Sequence, residues 1–205
     1  MTEEVPERSI KLTDPRTLRA YAHPLRMRLI GLLRSGGPMT ATQAAARLDD
    51  NVPNCSFHLR QLAKYGFVER VPGADGRERP WRATTRDTSW DDDSDDPALK
   101  AATDQLNSVM LALYVQYAQD YLAVRGDEPV EWRAAAGFGD ALLYVTATEL
   151  RELTEEVDAL LARYDERVAD PARRPPGSRP VQIIQMAVPR GPVPAEGQRA
   201  ETDRD

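Results

Sequence analysis

The sequence predicts a mainly α-helical fold with a small β component, and three observations carry that expectation. Apolar residues recur at helical spacing through most of the segments between Asp14 and Val168, each opened or closed by a recognisable cap or breaker. Two short β-type runs flank a turn around Asp75 and Gly76. Charge divides the chain: residues 1–86 hold 15 Lys+Arg against 9 Asp+Glu, whereas residues 87–205 hold 12 against 24. The overall net charge of -6 therefore hides a basic half of +6 and an acidic half of -12. Such asymmetry points to a nucleic-acid module joined to something else.

The first helical signal is TDPRTLRAYAHPLRMRLIGLLRSGG. Asp14 before Pro15 is a cap with proline at the first helical position, and Leu18 and Tyr21 share a face. Pro24 restarts the helix, after which Leu25, Leu29 and Leu32 recur with Met27, Ile30 and Leu33 beside them; Gly36 and Gly37 end it. Thr40 and Gln43 have the spacing of a capping box for a short helix, TQAAARL, closing at Leu48.

Asn51 then caps a third helix predicted from about Val52 to Tyr65, with Pro53 early enough to be tolerated and Gly66 as the stop. Cys55, Leu59 and Leu62 fall on one face. Asn54, Phe57 and Gln61 point the other way, with Pro53, His58 and Arg60 on the flanks. FVERV and PWRAT read as strands of a hairpin that carries Arg77, Arg79 and Arg82 around its tip. Three helices, a short connection between the second and third, and a basic hairpin are the parts of a winged helix-turn-helix. Its recognition helix would enter a major groove while the hairpin arginines reach phosphates.

The stretch LDDNVPNCSFHLRQLAKYGFVERV resembles the arsenic-repressor (ArsR) family of winged-helix transcriptional regulators. Members show a Leu, a short turn, a Ser-x-His-Leu run and a Gly-hydrophobic-Val ending; here these are Leu48, Ser56 to Leu59 and Gly66 to Val68. YAHPLRMRLIGLL is similar to the family's first core helix, and the resemblance covers about residues 12–86. It implies a DNA-binding regulator that dimerises on a long helix beside the DNA domain. Founding members sense metals through cysteines near the recognition helix or through carboxylates and histidines on the last helix.

This chain has one Cys and two His. Cys55 and His58 could touch one ion, but a thiolate site needs more soft ligands, and Cys55 lies on the apolar face where a lone cysteine acts as a small hydrophobe. The expectation is therefore the non-metal branch, with no metal and no cofactor. His58 stays open between a structural hydrogen-bonding role and a DNA-backbone contact; His23 reads as a helix-junction residue.

For double-stranded operator DNA the candidate contacts are Asn54 and Gln61 to base edges, Phe57 to a thymine methyl, and Pro53, His58 and Arg60 on the flanks. Arg77, Arg79 and Arg82 are assigned to phosphates, with Thr40 and Arg47 at the ends of the second helix.

Past Thr85, DTSWDDDSDD reads as an acidic linker kept away from phosphates. The long helix that follows carries an apolar stripe of Leu99, Ala102, Leu106, Met110, Leu113, Tyr117 and Tyr121, and the stripe calls for a partner. TELRELTEEVDALLARYDERV repeats Leu150, Leu153, Val157, Leu160 and Tyr164 at the steps of a coiled-coil seam. Leu99, Leu106, Met110, Leu113, Tyr117, Leu150, Leu153, Val157 and Leu160 are thus the candidate dimerisation residues. Residues 141–146 and 181–188 read as strands that pair with each other or across a dimer. Trp132, Phe138, Tyr114 and Tyr117 read more readily as core than as a pocket for a small-molecule effector, whose identity stays unspecified.

The expected organisation is a flexible N-terminus over 1–11, a winged helix-turn-helix DNA-binding domain over 12–86, an acidic linker over 87–97, a helical dimerisation and effector region with one or two extra strands over 98–188, and a disordered tail over 189–205. No apolar run of membrane-spanning length and no signal peptide is found, so a cytoplasmic protein without a membrane partner is expected. The chain lacks a glycine-rich phosphate loop, a nucleophile elbow and a histidine–carboxylate constellation, which argues against an enzyme. A homodimeric repressor is the leading expectation, and a winged-helix regulator acting mainly through protein partners is the alternative.

Overall fold

Proline, aspartate and asparagine set the starts of the helices. In the computed structural model, which describes residues 7–72, 79–91 and 93–191, α1 (Pro15–Tyr21) begins where the Asp14 carboxylate accepts the N–H groups of Arg16 and Thr17 at 2.9 and 3.1 Å. The residue before Pro24 cannot stay helical, and α2 (Pro24–Gly36) starts afresh. The Thr40–Gln43 capping box opens α3 (Ala41–Leu48) in both directions, with hydrogen bonds of 2.8 and 3.2 Å. Asp49 closes it in the left-handed conformation, at φ 52°.

The next helix, α4 (Val52–Lys64), is capped by the Asn51 side chain, which accepts from the Asn54 N–H at 2.8 Å. Gly66, at φ 78°, ends it in a Schellman turn: Phe67 N–H donates to the Leu62 carbonyl and Gly66 N–H to that of Ala63. That turn drops Phe67 into the core, where its ring stacks on Tyr21 with centroids 5.2 Å apart. The hairpin strands β2 (Val68–Arg70) and β3 (Trp81–Ala83) pair antiparallel with Glu69 opposite Arg82, and Trp81 also forms a backbone bridge with Met39.

Residues 7–11 fall in the segment expected to be flexible, and with Leu12 they form β1 (Glu7–Leu12), which pairs in parallel with β4 (Thr85–Trp90). This strand takes residues 87–90 out of the expected acidic linker. Leu12 is buried and Ile10 half-buried on the core, so the short apolar alternation in SIKL is satisfied once β4 lies beside it. A parallel pair needs a crossover, and here the whole helix-turn-helix is that crossover. Arg34 on α2 locks β4 in place, donating to the Thr85 carbonyl at 2.9 Å and to the hydroxyls of Thr85 and Thr88 at 3.2 and 2.8 Å.

The long helix α5 (Pro97–Val124) lies across α1 and α2. Leu106 is fully buried there and Leu113 nearly so; Leu99, Met110 and Tyr117 pack against the same core. Of these five residues, expected to face a second copy, Leu106 and Leu113 are buried inside the chain, while Leu99, Met110 and Tyr117 pack on the same core and stay half-buried. The reason is geometric: α1 and α2 leave an apolar surface, and the nearest helix of matching periodicity covers it. Leu111, Val115 and Leu122 remain exposed on α5. Trp90 fastens β4 to this helix, its indole N–H donating to the Asn107 oxygen at 3.2 Å.

Beyond α5 come α6 (Val130–Ala135), α7 (Ala147–Ala162) and α8 (Asp165–Ala169). The Thr146–Glu149 capping box defines the start of α7. Leu153 and Leu160 are exposed, Leu150 and Val157 half-buried. The expected strands at 141–146 and 181–188 take up neither strand nor helix and form no ladder among the described residues, because an apolar run becomes a strand only where a neighbour supplies hydrogen bonds. The expected disordered tail lies largely outside the described residues. No described helix is long and apolar enough to cross a membrane.

Candidate nucleic-acid interface

Helix α4 presents two faces of opposite character. Cys55, Leu59 and Leu62 are fully buried. Burial pushes the Cys55 thiol up, so it packs as a neutral group. Pro53, Phe57 and Arg60 are exposed on the other side, with Asn54 and Gln61 half-buried between them. Phe57 is 50% exposed, a large apolar ring held in solvent by the helix geometry. Among the described residues, no three His, Cys, Asp or Glu side chains gather as a metal site would require.

His58 does not join the exposed face. It is buried, with its ring 4.3 Å from that of His23 and edge-on to Phe57 at 5.1 Å, which removes it from the expected DNA contacts. A 100° step from Phe57 turns it toward the junction of α1 and α2. The His23 Nδ1 accepts the Leu25 N–H at 3.2 Å and so carries no proton. The His58 Nδ1 is buried with no partner among the described residues.

Burial lowers both histidine pKa values first. His23 is lowered further by His58 and Arg26, and His58 by Arg26, against an opposing pull from Asp50. The unfolded chain takes up these protons near about pH 6.5, so the pair's contribution to stability is full above that pH and is lost as pH falls below it toward the depressed folded values. Urea unfolding at about pH 7.5 and 5.5 is expected to show this loss. It should be smaller in His23→Asn, which keeps a capping acceptor and does not titrate; an equal loss in both proteins counts against the pair as its source.

The hairpin offers fewer free cations than its sequence suggests. Arg82 sits on the stem, half-buried, with its Nε 2.7 Å from Glu69 Oε1. Arg79 is exposed and donates to the Val71 carbonyl at 3.3 Å, while its own carbonyl accepts from Arg70. Arg77 lies outside the described residues. Arg47 is exposed at the end of α3, and Thr40 is half-buried with its hydroxyl accepting the cap bond.

Residues 21–71 match the family described as a helix-turn-helix domain. Over these residues the fold is that of a helix-turn-helix. Within it, α3 and α4 are the paired helices and α4 the second of the pair; the β2–β3 hairpin follows as a wing. Similar solved structures include the solution NMR structure of the homodimeric winged helix-turn-helix DNA-binding domain of Mb0332 from Mycobacterium bovis, a possible ArsR-family transcriptional regulator. It is 21% identical, with 52% of this chain and 77% of that one covered at a TM-score of 0.31. The crystal structure of RV1404 from Mycobacterium tuberculosis is 15% identical, covering 56% and 85% at a TM-score of 0.32. No curated protein matches the chain.

Sequence reading missed Asp50 and Arg70. Asp50, in the turn of the helix-turn-helix domain, accepts from the Asn54 side-chain nitrogen at 3.0 and 3.3 Å. Arg70 stacks its guanidinium 3.8 Å from the Trp81 ring centroid. Neither contact has a sequence signature, since each joins residues brought together by a turn or a hairpin register. Farther away, Tyr121, Arg125, Arg133 and Phe138 border a cavity of about 510 Å³ at the end of α5. Of the four aromatics read as core, Phe138 is instead 64% exposed and lines this cavity; Tyr114 pairs with Tyr117, and Trp132 stacks under Arg179.

Proposed function

We propose that the protein is a cytoplasmic, sequence-specific DNA-binding transcriptional regulator of the arsenic-repressor type, working as a homodimeric repressor and not as an enzyme. The observation that carries the reading is the outward face of α4: an exposed Phe57 flanked by Asn54, Arg60 and Gln61 on the second helix of a helix-turn-helix domain. Carboxamides bond adenine edges bidentately and a phenyl ring suits a thymine methyl. The +6 charge of residues 1–86 supplies attraction to phosphates, and the acidic half lies outside the domain. The exposed apolar residues of α7, Leu153 and Leu160, together with Leu150 and Val157, are the surface for a second copy, which two-fold operators require. The same residues favour the second reading, a regulator acting mainly through a protein partner. An effector would act by shifting the dimer between half-site spacings.

Fluorescence anisotropy on DNA from upstream of the protein's own gene, beside a scrambled duplex and across salt concentrations, tests this. Specific binding with a steep negative salt slope supports the regulator; no binding even at low salt overturns it in favour of the partner reading. Arg79→Ala is expected to weaken binding to all sequences and flatten the salt slope. Asn54→Ala should instead cost about 1–3 kcal/mol at one base position. Equal behaviour of the two variants across operator variants would sink this division of roles.

A further inference from the structure

Asp50 is one of nine acidic residues in the basic half of the chain, and the fold holds it firmly. Its backbone N–H donates to the Ala45 carbonyl at 3.0 Å, tying it to the end of α3, and the left-handed Asp49 before it sets its direction. Its carboxylate accepts the Asn51 N–H at 2.7 Å. The same carboxylate takes the Asn54 side-chain nitrogen, at 3.0 Å to one oxygen and 3.3 Å to the other.

We propose that Asp50 is a specificity-determining positioning residue: it holds the Asn54 carboxamide in one of its two flip states, so that the amide oxygen and the second N–H are presented together to one base edge. The proposal rests on the reading of α4 as the DNA-facing helix. A carboxamide nitrogen has two donors and its oxygen two acceptor sites. One N–H goes to Asp50; the other N–H and the oxygen are the pair that an adenine edge takes bidentately. Flipping the amide would aim its oxygen at a carboxylate, replacing a charge-assisted bond with repulsion between two acceptors.

The Asn54 bond also holds the Asp50 carboxyl below its usual range, so it stays anionic. An anion near phosphates weakens attraction to DNA of any sequence. Asp50 thus trades general affinity for discrimination, a different effect from that of a helix cap, which Asn51 already provides.

The test compares the full chain with Asp50→Ala, Asp50→Asn and Asn54→Ala. Anisotropy is measured on the operator, on its single base-pair variants and on scrambled DNA, and NMR follows exchange of the Asn54 side-chain amide protons in free protein. Asp50→Ala is expected to lower discrimination at the base pair read by Asn54 by about 3- to 10-fold, to tighten binding to scrambled DNA, and to speed amide exchange. Asp50→Asn should restore discrimination through its own acceptor oxygen while keeping the gain in general affinity, and it carries the test should the alanine variant fail to fold.

Unchanged discrimination in Asp50→Ala when Asn54→Ala loses it, or weakening of all sequences alike, overturns the proposal. A parent protein without sequence preference overturns the DNA reading and this role with it. Slowed amide exchange in that parent relative to Asp50→Ala would then show that the contact exists and that only its use was misassigned.

Discussion

Leu106→Ala is expected to lower the unfolding free energy by about 2–5 kcal/mol, by the same amount at low and high protein concentration. Leu106 has no exposed surface and sits with Ala102 and Leu113 where α5 crosses α1 and α2. Truncation removes about three methylene equivalents of burial and leaves a cavity whose walls belong to three helices, each held by other contacts, so the space does not collapse. The sequence stripe had placed Leu106 at a seam between two copies. Those assignments separate cleanly in a urea titration at two concentrations. A core position lowers the midpoint of both curves equally, whereas a seam position makes the loss depend on concentration. Leu160→Ala, 55% exposed on α7, is the contrast: it should leave the monomer within about 0.5 kcal/mol of the parent. A small, concentration-dependent effect of Leu106→Ala would overturn the intrachain placement.

Trp81→Ala should cost about 3–5 kcal/mol and detach the wing from the helical body. The indole is buried, lies under the Arg70 guanidinium, and belongs to the residue that bridges to Met39 through both backbone groups, at 2.8 and 3.0 Å. The backbone bridge survives the substitution, but the ring that holds hairpin and core together does not. The indole N–H is buried without an acceptor among the described residues. Trp81→Phe therefore removes an unpaired donor along with part of the ring, and it should cost less than about 1.5 kcal/mol. Thermal unfolding of both variants checks the pair. Equal losses would mean that the indole nitrogen has a partner of its own and that the ring's bulk is not what matters.

The elements most legible in the sequence are those decided within one or two turns of chain. Asp14–Pro15, Thr40 with Gln43, Asn51, Gly66 and Thr146 with Glu149 begin or end helices where their residue types say they should, because a cap bond spans only two or three residues. The split of α4 into a buried Cys55–Leu59–Leu62 face and an exposed Phe57 face follows from the helical period alone. His58 was ambiguous for the same reason: it lies at the boundary, and His23, thirty-five residues earlier, decides which side it joins.

What local pattern could not settle was pairing between distant segments. The β1–β4 ladder joins residues separated by the whole helix-turn-helix, and six residues of weak alternation carry no signal until that crossover is built. Segments 141–146 and 181–188 make the converse point, since their apolar runs read as strands and yet meet no ladder. The Asp50–Asn54 contact and the Glu69–Arg82 pair likewise needed coordinates, because each depends on how side chains turn at a junction. By itself the sequence determined the caps, the helix periods, the basic and acidic halves and the outward face of α4. Only the tertiary structure decided that Ala102, Leu106 and Leu113 of the α5 stripe serve this chain's own core, because periodicity shows that a face must be covered while burial shows by what.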